Sequence, residues 1–310
     1  MPVKEDKSSK KYKLKSLRTF AWDRVMNKQR RYRKVFDRYE LSYLSVALEF
    51  YNKLFDEKEW KARITFKAFR LEGEKKVKEL CNEEKELTIT KDMNLVTHDF
   101  GWGNDEYGKF WDKGDYIWEV YFDGEEVGTT KFHIEEAGRV TPKENPYFEV
   151  ASLKTYEAPE GDLTEDERVY LKQFDKKDTR YIMTELKFNN KLPEEWLCEL
   201  FFKYYDDTGI LAGVADSFGY ITPGQDPGEV FTISSGWGSV DGDSWIHDNY
   251  RVEVVFMDQV VAMIPFTVGD KHIERLSDYE ALLNEEVSEF YGQSRVSDKP
   301  KKEPKTESET

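Results

Sequence analysis

One stretch of this chain is written twice, and that duplication limits the fold more than any other feature. Gly101-Trp102-Gly103 is followed by Trp111, Tyr116, Glu119, Val120, Phe122 and Phe132. Gly236-Trp237-Gly238 is followed by Trp245, Tyr250, Glu253, Val254, Phe256 and Phe266. The offset is 135 residues at the Gly-Trp-Gly and 134 from the second Trp onward. The likeness starts upstream: at a constant offset of 138, residues 32–54 match residues 170–192 at 10 of 23 positions. Chance gives roughly one or two identities over such a span, so the chain carries two copies of one module.

Inside each copy apolar residues alternate. Leu44, Val46, Leu48 and Phe50 correspond to Ile182, Thr184, Leu186 and Phe188. Trp60, Ala62, Ile64 and Phe66 correspond to Trp196, Cys198, Leu200 and Phe202, and a Trp opens the segment in both. Tyr116, Trp118, Val120 and Phe122 correspond to Tyr250, Val252, Val254 and Phe256. A period of two means strands with one buried face. Turn signals stand between them at Glu72-Gly73, Asp123-Gly124 and Asp207-Thr208-Gly209. About seven short strands in each ~100–120 residues describe two sheets packed face to face. The predicted fold class is all-β: two tandem immunoglobulin-like antiparallel β-sandwiches, plus a C-terminal helix and disordered termini.

The expected boundaries are a disordered basic arm over 1–16, module 1 over 17–137, a linker over 138–147 and module 2 over 148–270. A helix over 271–292 and a disordered tail over 293–310 follow. The helix rests on Leu276, Tyr279, Leu282, Leu283, Val287 and Phe290 at helical spacing, with Ser277 and Glu280 as a capping box. It either packs on a module or presents its stripe to a partner. Pro, Lys, Glu, Ser and Thr dominate after Gln293, the composition of a disordered tail or linker.

Charge is uneven. Residues 1–34 hold eight Lys and five Arg against three acids, a surplus of ten, so the remainder carries -25 of a net -15. The basic head reads as a solvated tail, with an acidic surface or nucleic acid as the sharper alternative. No recognition helix, zinc-finger spacing or RNA-binding motif stands beside Lys28–Lys34, which argues against nucleic acid. The start lacks the apolar core of a secretory signal, and no run of 18 apolar residues occurs, so no membrane span is expected. Cys81 and Cys198 do not correspond between copies, so no disulfide is predicted, and a cytoplasmic setting is expected.

The residues offer little chemistry. His98, His133, His247 and His272 have no metal-ligand spacing, and Asp241-Gly242-Asp243 lacks the calcium-loop pattern. Glu119 and Glu253 recur at one repeat position but in separate modules, unlike the facing carboxylates of a glycosidase. No nucleophile elbow, phosphate-binding loop or dinucleotide fingerprint is present. The chain is therefore expected to be no enzyme and to need no cofactor or metal. The candidate binding residues are Trp102, Trp237, Trp111, Trp245, Glu119 and Glu253. Trp102 and Trp237, each between two glycines, are either bend residues packed on the sandwich or platforms for a sugar or peptide. Trp111 and Trp245 would cover the core end.

The set Arg180-Tyr-Ile, Glu185-Leu, Phe188-x-Asn190, Trp196, Gly236-Trp-Gly238, Trp245, Tyr250, Glu253-Val254 and Phe266 resembles a repeated β-sandwich module of bacterial proteins of the Bacteroidetes type. That module often precedes an AAA+ ATPase domain of the sporulation-protein-K kind. The resemblance covers about residues 32–137 and 148–270 and carries no catalytic residue to transfer. This sequence departs from the arrangement in having no ATPase motif. The resemblance implies an accessory or adaptor role, with a protein partner that such an ATPase would supply. The expected function is a non-enzymatic protein-interaction module; the alternative is a glycan- or small-ligand-binding sandwich using the repeated Trp residues.

Overall fold

In a computed structural model, residues 10–22, 30–159, 162–224, 229–269 and 280–297 are described. The chain divides into two compact units with a boundary between Arg139 and Val140, the segment Trp196–Glu199 being grouped with the first. Each unit is a β-sandwich built on the same plan.

In the first unit the strands are β1 (Tyr12–Trp22), β2 (Val35–Asp37), β3 (Tyr43–Asn52), β4 (Trp60–Glu72), β5 (Lys75–Ile89), β6 (Leu95–Gly103), β7 (Gly114–Phe122) and β8 (Glu125–Glu135). One sheet has the order β1-β3-β6 and the other β2-β8-β7-β4-β5. Strand β2 runs parallel to β8; β1–β3, β3–β6, β4–β5, β4–β7 and β7–β8 pair antiparallel. Leu44, Val46, Leu48 and Phe50 from one sheet meet Ile64, Phe66, Trp118 and Val120 from the other in a single core.

The second unit repeats this arrangement with β9 (Phe148–Ala158), β10 (Gln173–Asp175), β11 (Tyr181–Asn190), β12 (Trp196–Asp206), β13 (Leu211–Ile221), β14 (Val230–Gly238), β15 (Asp248–Phe256) and β16 (Gln259–Gly269). Its sheets are β14-β11-β9 and β10-β16-β15-β12-β13, and β10 again lies parallel to β16. Even the irregularities recur. The β7–β8 ladder slips between Val120 and Tyr121, and the β15–β16 ladder between Val254 and Val255. The connecting turns place Asp123-Gly124 and Met257-Asp258 in the left-handed region, as a two-residue hairpin of primed type requires. The class is thus two tandem immunoglobulin-like β-sandwiches, with eight matching strands in each repeat among the described residues rather than about seven.

Two expected boundaries are corrected. The expected basic arm over 1–16 is shorter, because β1 begins at Tyr12 and pairs with β3 over its whole length. Tyr12, Leu14 and Leu17 pack on the core while the intervening lysines face outward, so a half-buried strand hides behind its positive charge. The C-terminal helix, expected over 271–292, is α1 and spans Glu285–Ser297. Leu282–Leu283 form a short strand, β17, paired with Met263 and Ala262 of β16. Asn284 ends it: at φ +52, its side-chain amide both donates to and accepts from the Val150 backbone, at 3.1 Å each, as a neighbouring strand would. The expected capping box at Ser277, and residues 1–9, lie outside the described residues. No helix of the described residues is long and apolar enough to cross a membrane.

Candidate functional site

The repeated aromatic residues form the same cluster in both units. Trp111 stands edge-on to Tyr116 at 5.3 Å and to Phe132 at 5.6 Å, and Tyr116 stacks on Phe132 at 5.3 Å. In the second unit Trp245 meets Tyr250 at 5.2 Å and Phe266 at 5.7 Å, and Tyr250 stacks on Phe266 at 5.4 Å. Each Tyr hydroxyl donates to a carbonyl four residues earlier, Asp112 in one copy and Ile246 in the other. This is a closed end of the core held by edge-to-face packing. Trp111 and Trp245, both proposed as binding residues, are 1% exposed. The structure corrects that assignment, because neither indole has a face to offer.

Glu119 and Glu253, the remaining repeated candidates, are also engaged within their own units. Glu119 pairs with Lys76 and accepts from the Tyr121 hydroxyl at 2.8 Å, a bond that pushes that hydroxyl up to about 12. Glu253 pairs with Arg251 at 2.7 Å and accepts from the Tyr291 hydroxyl of α1. Both carboxylates are buried, each matched by one cation and one phenol. In the second unit α1 supplies the phenol, so α1 docks through Tyr291 and the buried Val287, while Phe290 stays exposed.

Trp102 and Trp237 lie within β6 and β14, opposite Leu44 and Ile182. The glycine after each has a backbone that no side chain fits: a Cβ on Gly103 or Gly238 would fall 2.0 Å from the carbonyl oxygen of Ser42 or Arg180. Both indoles are half-buried. Trp102 stacks beside Phe100, and Trp237 stands edge-on to Trp245 at 4.8 Å. A Cβ added at Gly213 would come within 2.2 Å of the Trp237 ring, so this indole lies directly over the backbone of β13.

That contact leads to the surface the sequence reading missed. In β13 the residues facing the same way as Asp216 are Val214, Phe218 and Tyr220, which are 43%, 50% and 58% exposed. The residues of the opposite parity are Leu211, Gly213, Ala215, Ser217, Gly219 and Ile221. Large apolar groups point out, while the other face is small between Leu211 and Ile221, and Gly213 leaves room there for Trp237. Strand β13 also ends its sheet. Its counterpart in the first unit, β5, occupies the same edge and reads Lys-Lys-Val-Lys-Glu-Leu-Cys-Asn-Glu-Glu-Lys-Glu-Leu-Thr-Ile. Charges of that kind protect an edge strand from pairing with another chain. Strand β13 carries a single charge. The contrast is visible in the sequence once the two copies are aligned, but it needs the edge position to acquire meaning.

No family model matches the chain, and no curated protein matches it. Among solved structures it is similar to the transglutaminase of red sea bream, at 12% identity and a TM-score of 0.29. That likeness covers 84% of this chain and 32% of the transglutaminase. It is also similar to the native conformation of E. coli alpha-2-macroglobulin, at 9% identity and a TM-score of 0.25, over 86% of this chain and 16% of the other. This chain therefore spans less than a third of the length of either protein.

Proposed function

We propose that the chain is a non-enzymatic protein-interaction module, an adaptor whose contact surface is the β13 edge of the second unit. The observation that carries this reading is the difference between duplicated strands. One fold, written twice, guards its edge with charge in β5 and leaves it apolar in β13. An exposed strand of this kind attracts another polypeptide. The repeated Trp and Glu residues support the reading indirectly, because their packing and pairing explain their recurrence without a ligand. A partner of the AAA+ ATPase kind, in the cytoplasm, is the form of the proposal that the sequence resemblance supplies.

The test is affinity capture from a bacterial lysate with the full chain, with a Phe218→Lys/Tyr220→Lys variant and with a Val77→Lys variant in β5. A protein retained by the wild type and by Val77→Lys, but lost from the double variant, is expected. Identical retention by all three would refute the assignment.

A further inference from the structure

The β13 edge has a charge environment that narrows what it can receive. From Tyr204 to Tyr250 the sequence contains no Lys and no Arg, but eight acids: Asp206, Asp207, Asp216, Asp226, Glu229, Asp241, Asp243 and Asp248. The matching stretch of the first copy, Ala68 to Tyr116, holds eight Lys and Arg among twelve acids. This stretch of the second copy therefore contributes only acids, and the cations near it, such as Lys203 of β12, Arg251 of β15 and Arg180, come from neighbouring segments. Asp206 and Asp207 stand at the turn before β13, Asp216 lies at its middle, and Glu229 precedes β14.

We infer that β13 and its acidic surround hold an extended, basic segment of a partner polypeptide, in which apolar residues alternate with Lys or Arg. This rests on the protein-interaction reading above and specifies its partner. Strand β13 is 11 residues long, about 35 Å at 3.3 Å per residue, which suits an extended segment of similar length. Strand β14 reaches it at Gly213, beneath the Trp237 ring, and at the Asp216 carbonyl, which accepts from the Ser235 hydroxyl at 3.3 Å. Val214, Phe218 and Tyr220 remain exposed beside those two points. Main-chain pairing at a sheet edge supplies general affinity, and alternate side chains supply selection. Here the selection is for apolar groups over Phe218 and Tyr220 and for cations toward Asp216 and the acidic turns. A second copy of this chain fits less well, because β13 against β13 brings two acidic surfaces together. Phosphate-rich partners are repelled for the same reason.

The experiment is a selection from a phage-displayed random dodecapeptide library on the full chain, followed by fluorescence anisotropy with the enriched peptides. Enriched sequences are expected to alternate apolar residues with Lys or Arg. Their binding should weaken about tenfold or more between low and high salt, and about tenfold on Asp216→Lys. The Phe218→Lys/Tyr220→Lys variant, shown by circular dichroism to keep its fold, should bind none of them. If that variant unfolds, Asp216→Lys alone decides the matter. Enriched peptides that are neutral or acidic, or insensitive to salt and to Asp216→Lys, overturn this inference while leaving protein binding intact. Peptides that bind the folded double variant equally well remove the site. A selection that enriches nothing, with a monomer in sedimentation, overturns both readings. A dimer that Phe218→Lys/Tyr220→Lys dissolves makes a second copy the occupant and overturns the inference.

Discussion

The duplicated Trp clusters allow one substitution to be read twice in nearly identical surroundings. Trp111 and Trp245 are equally buried and sit at the same distances from their Tyr and Phe neighbours. They differ at the indole nitrogen. Trp245 Nε1 donates to the Arg180 carbonyl at 3.3 Å, whereas Trp111 Nε1 has no partner among the described residues. Replacing either by Phe removes about three buried ring atoms, a loss of about 2 kcal/mol at ~0.8 kcal/mol for each methylene-sized group. At position 245 the lost hydrogen bond adds about 0.5–1 kcal/mol, the low end because the bond is long. At position 111 removal of an unpaired buried donor returns about 1–2 kcal/mol. Trp245→Phe should therefore destabilise its unit by about 3 kcal/mol and Trp111→Phe its unit by about 0–1 kcal/mol. Urea unfolding followed by far-UV circular dichroism should resolve a gap of about 2 kcal/mol, roughly 1 M in midpoint at a typical slope. Equal losses, or a larger loss from Trp111→Phe, would show that the indole nitrogens do not distinguish the two sites.

Gly238→Ala should cost about 2–4 kcal/mol in a thermal or urea melt, since its Cβ would lie 2.0 Å from the Arg180 carbonyl and the backbone must move. A loss under about 1 kcal/mol would mean that the chain relaxes there freely. Burial pushes the buried His133 imidazole down, but the hydrogen bonds its ring nitrogens donate to Glu135 at 3.0 Å and Asp115 at 2.7 Å prevail and hold it above the ordinary value. A raised pKa stabilises the fold at low pH and the contribution disappears as pH rises through the folded value, with Lys113 left to pair with Glu135. Urea midpoints should accordingly fall as pH rises above the ordinary imidazole value of about 6.5, and His133→Gln should flatten that slope; an unchanged slope would refute the linkage. Burial pushes the Cys81 thiol up to about 12 and the Cys198 thiol up as well. A disulfide reagent at mild pH should label neither in the native chain and both in urea, whereas fast native labelling would contradict their placement in the cores.

Much of the fold is legible in the sequence because the two copies check each other. The Trp that opens β4 and β12, the alternation in β3 and β11, and the Asp123-Gly124 turn all carry apolar periodicity or turn chemistry in plain form. What escapes is structure whose signal is masked by charge or is too short to be periodic. Strand β1 alternates Tyr12, Leu14 and Leu17 with lysines and reads as a tail. Strand β5 looks like a solvated charge run because it lies at an edge. Strands β2 and β10 have three residues each, too few for any period, and are defined only by their parallel partners. Leu282 and Leu283 match a helical stripe by spacing, yet tertiary pairing with β16 makes them a strand. At the candidate site, Trp111, Trp245, Glu119 and Glu253 recur because core and ion-pair residues are what two copies of a fold keep. The β13 surface is where the copies differ, so a search for likeness passes over it.

The parallel pairing of β2 with β8 sets a timetable for the nascent chain. Val35–Asp37 find their partners only in His133–Glu135, about 100 residues later. At roughly 5–20 residues per second the ribosome takes about 5–20 s to deliver them. Throughout that interval the first sheet can form from β1, β3 and β6, but the second lacks its closing strand. The second repeat imposes a similar wait, since Gln173–Asp175 pair with Thr267–Gly269. Each pair of parallel strands is therefore completed late, and a stall or truncation just short of β8 or β16 leaves an open sandwich rather than a smaller closed one.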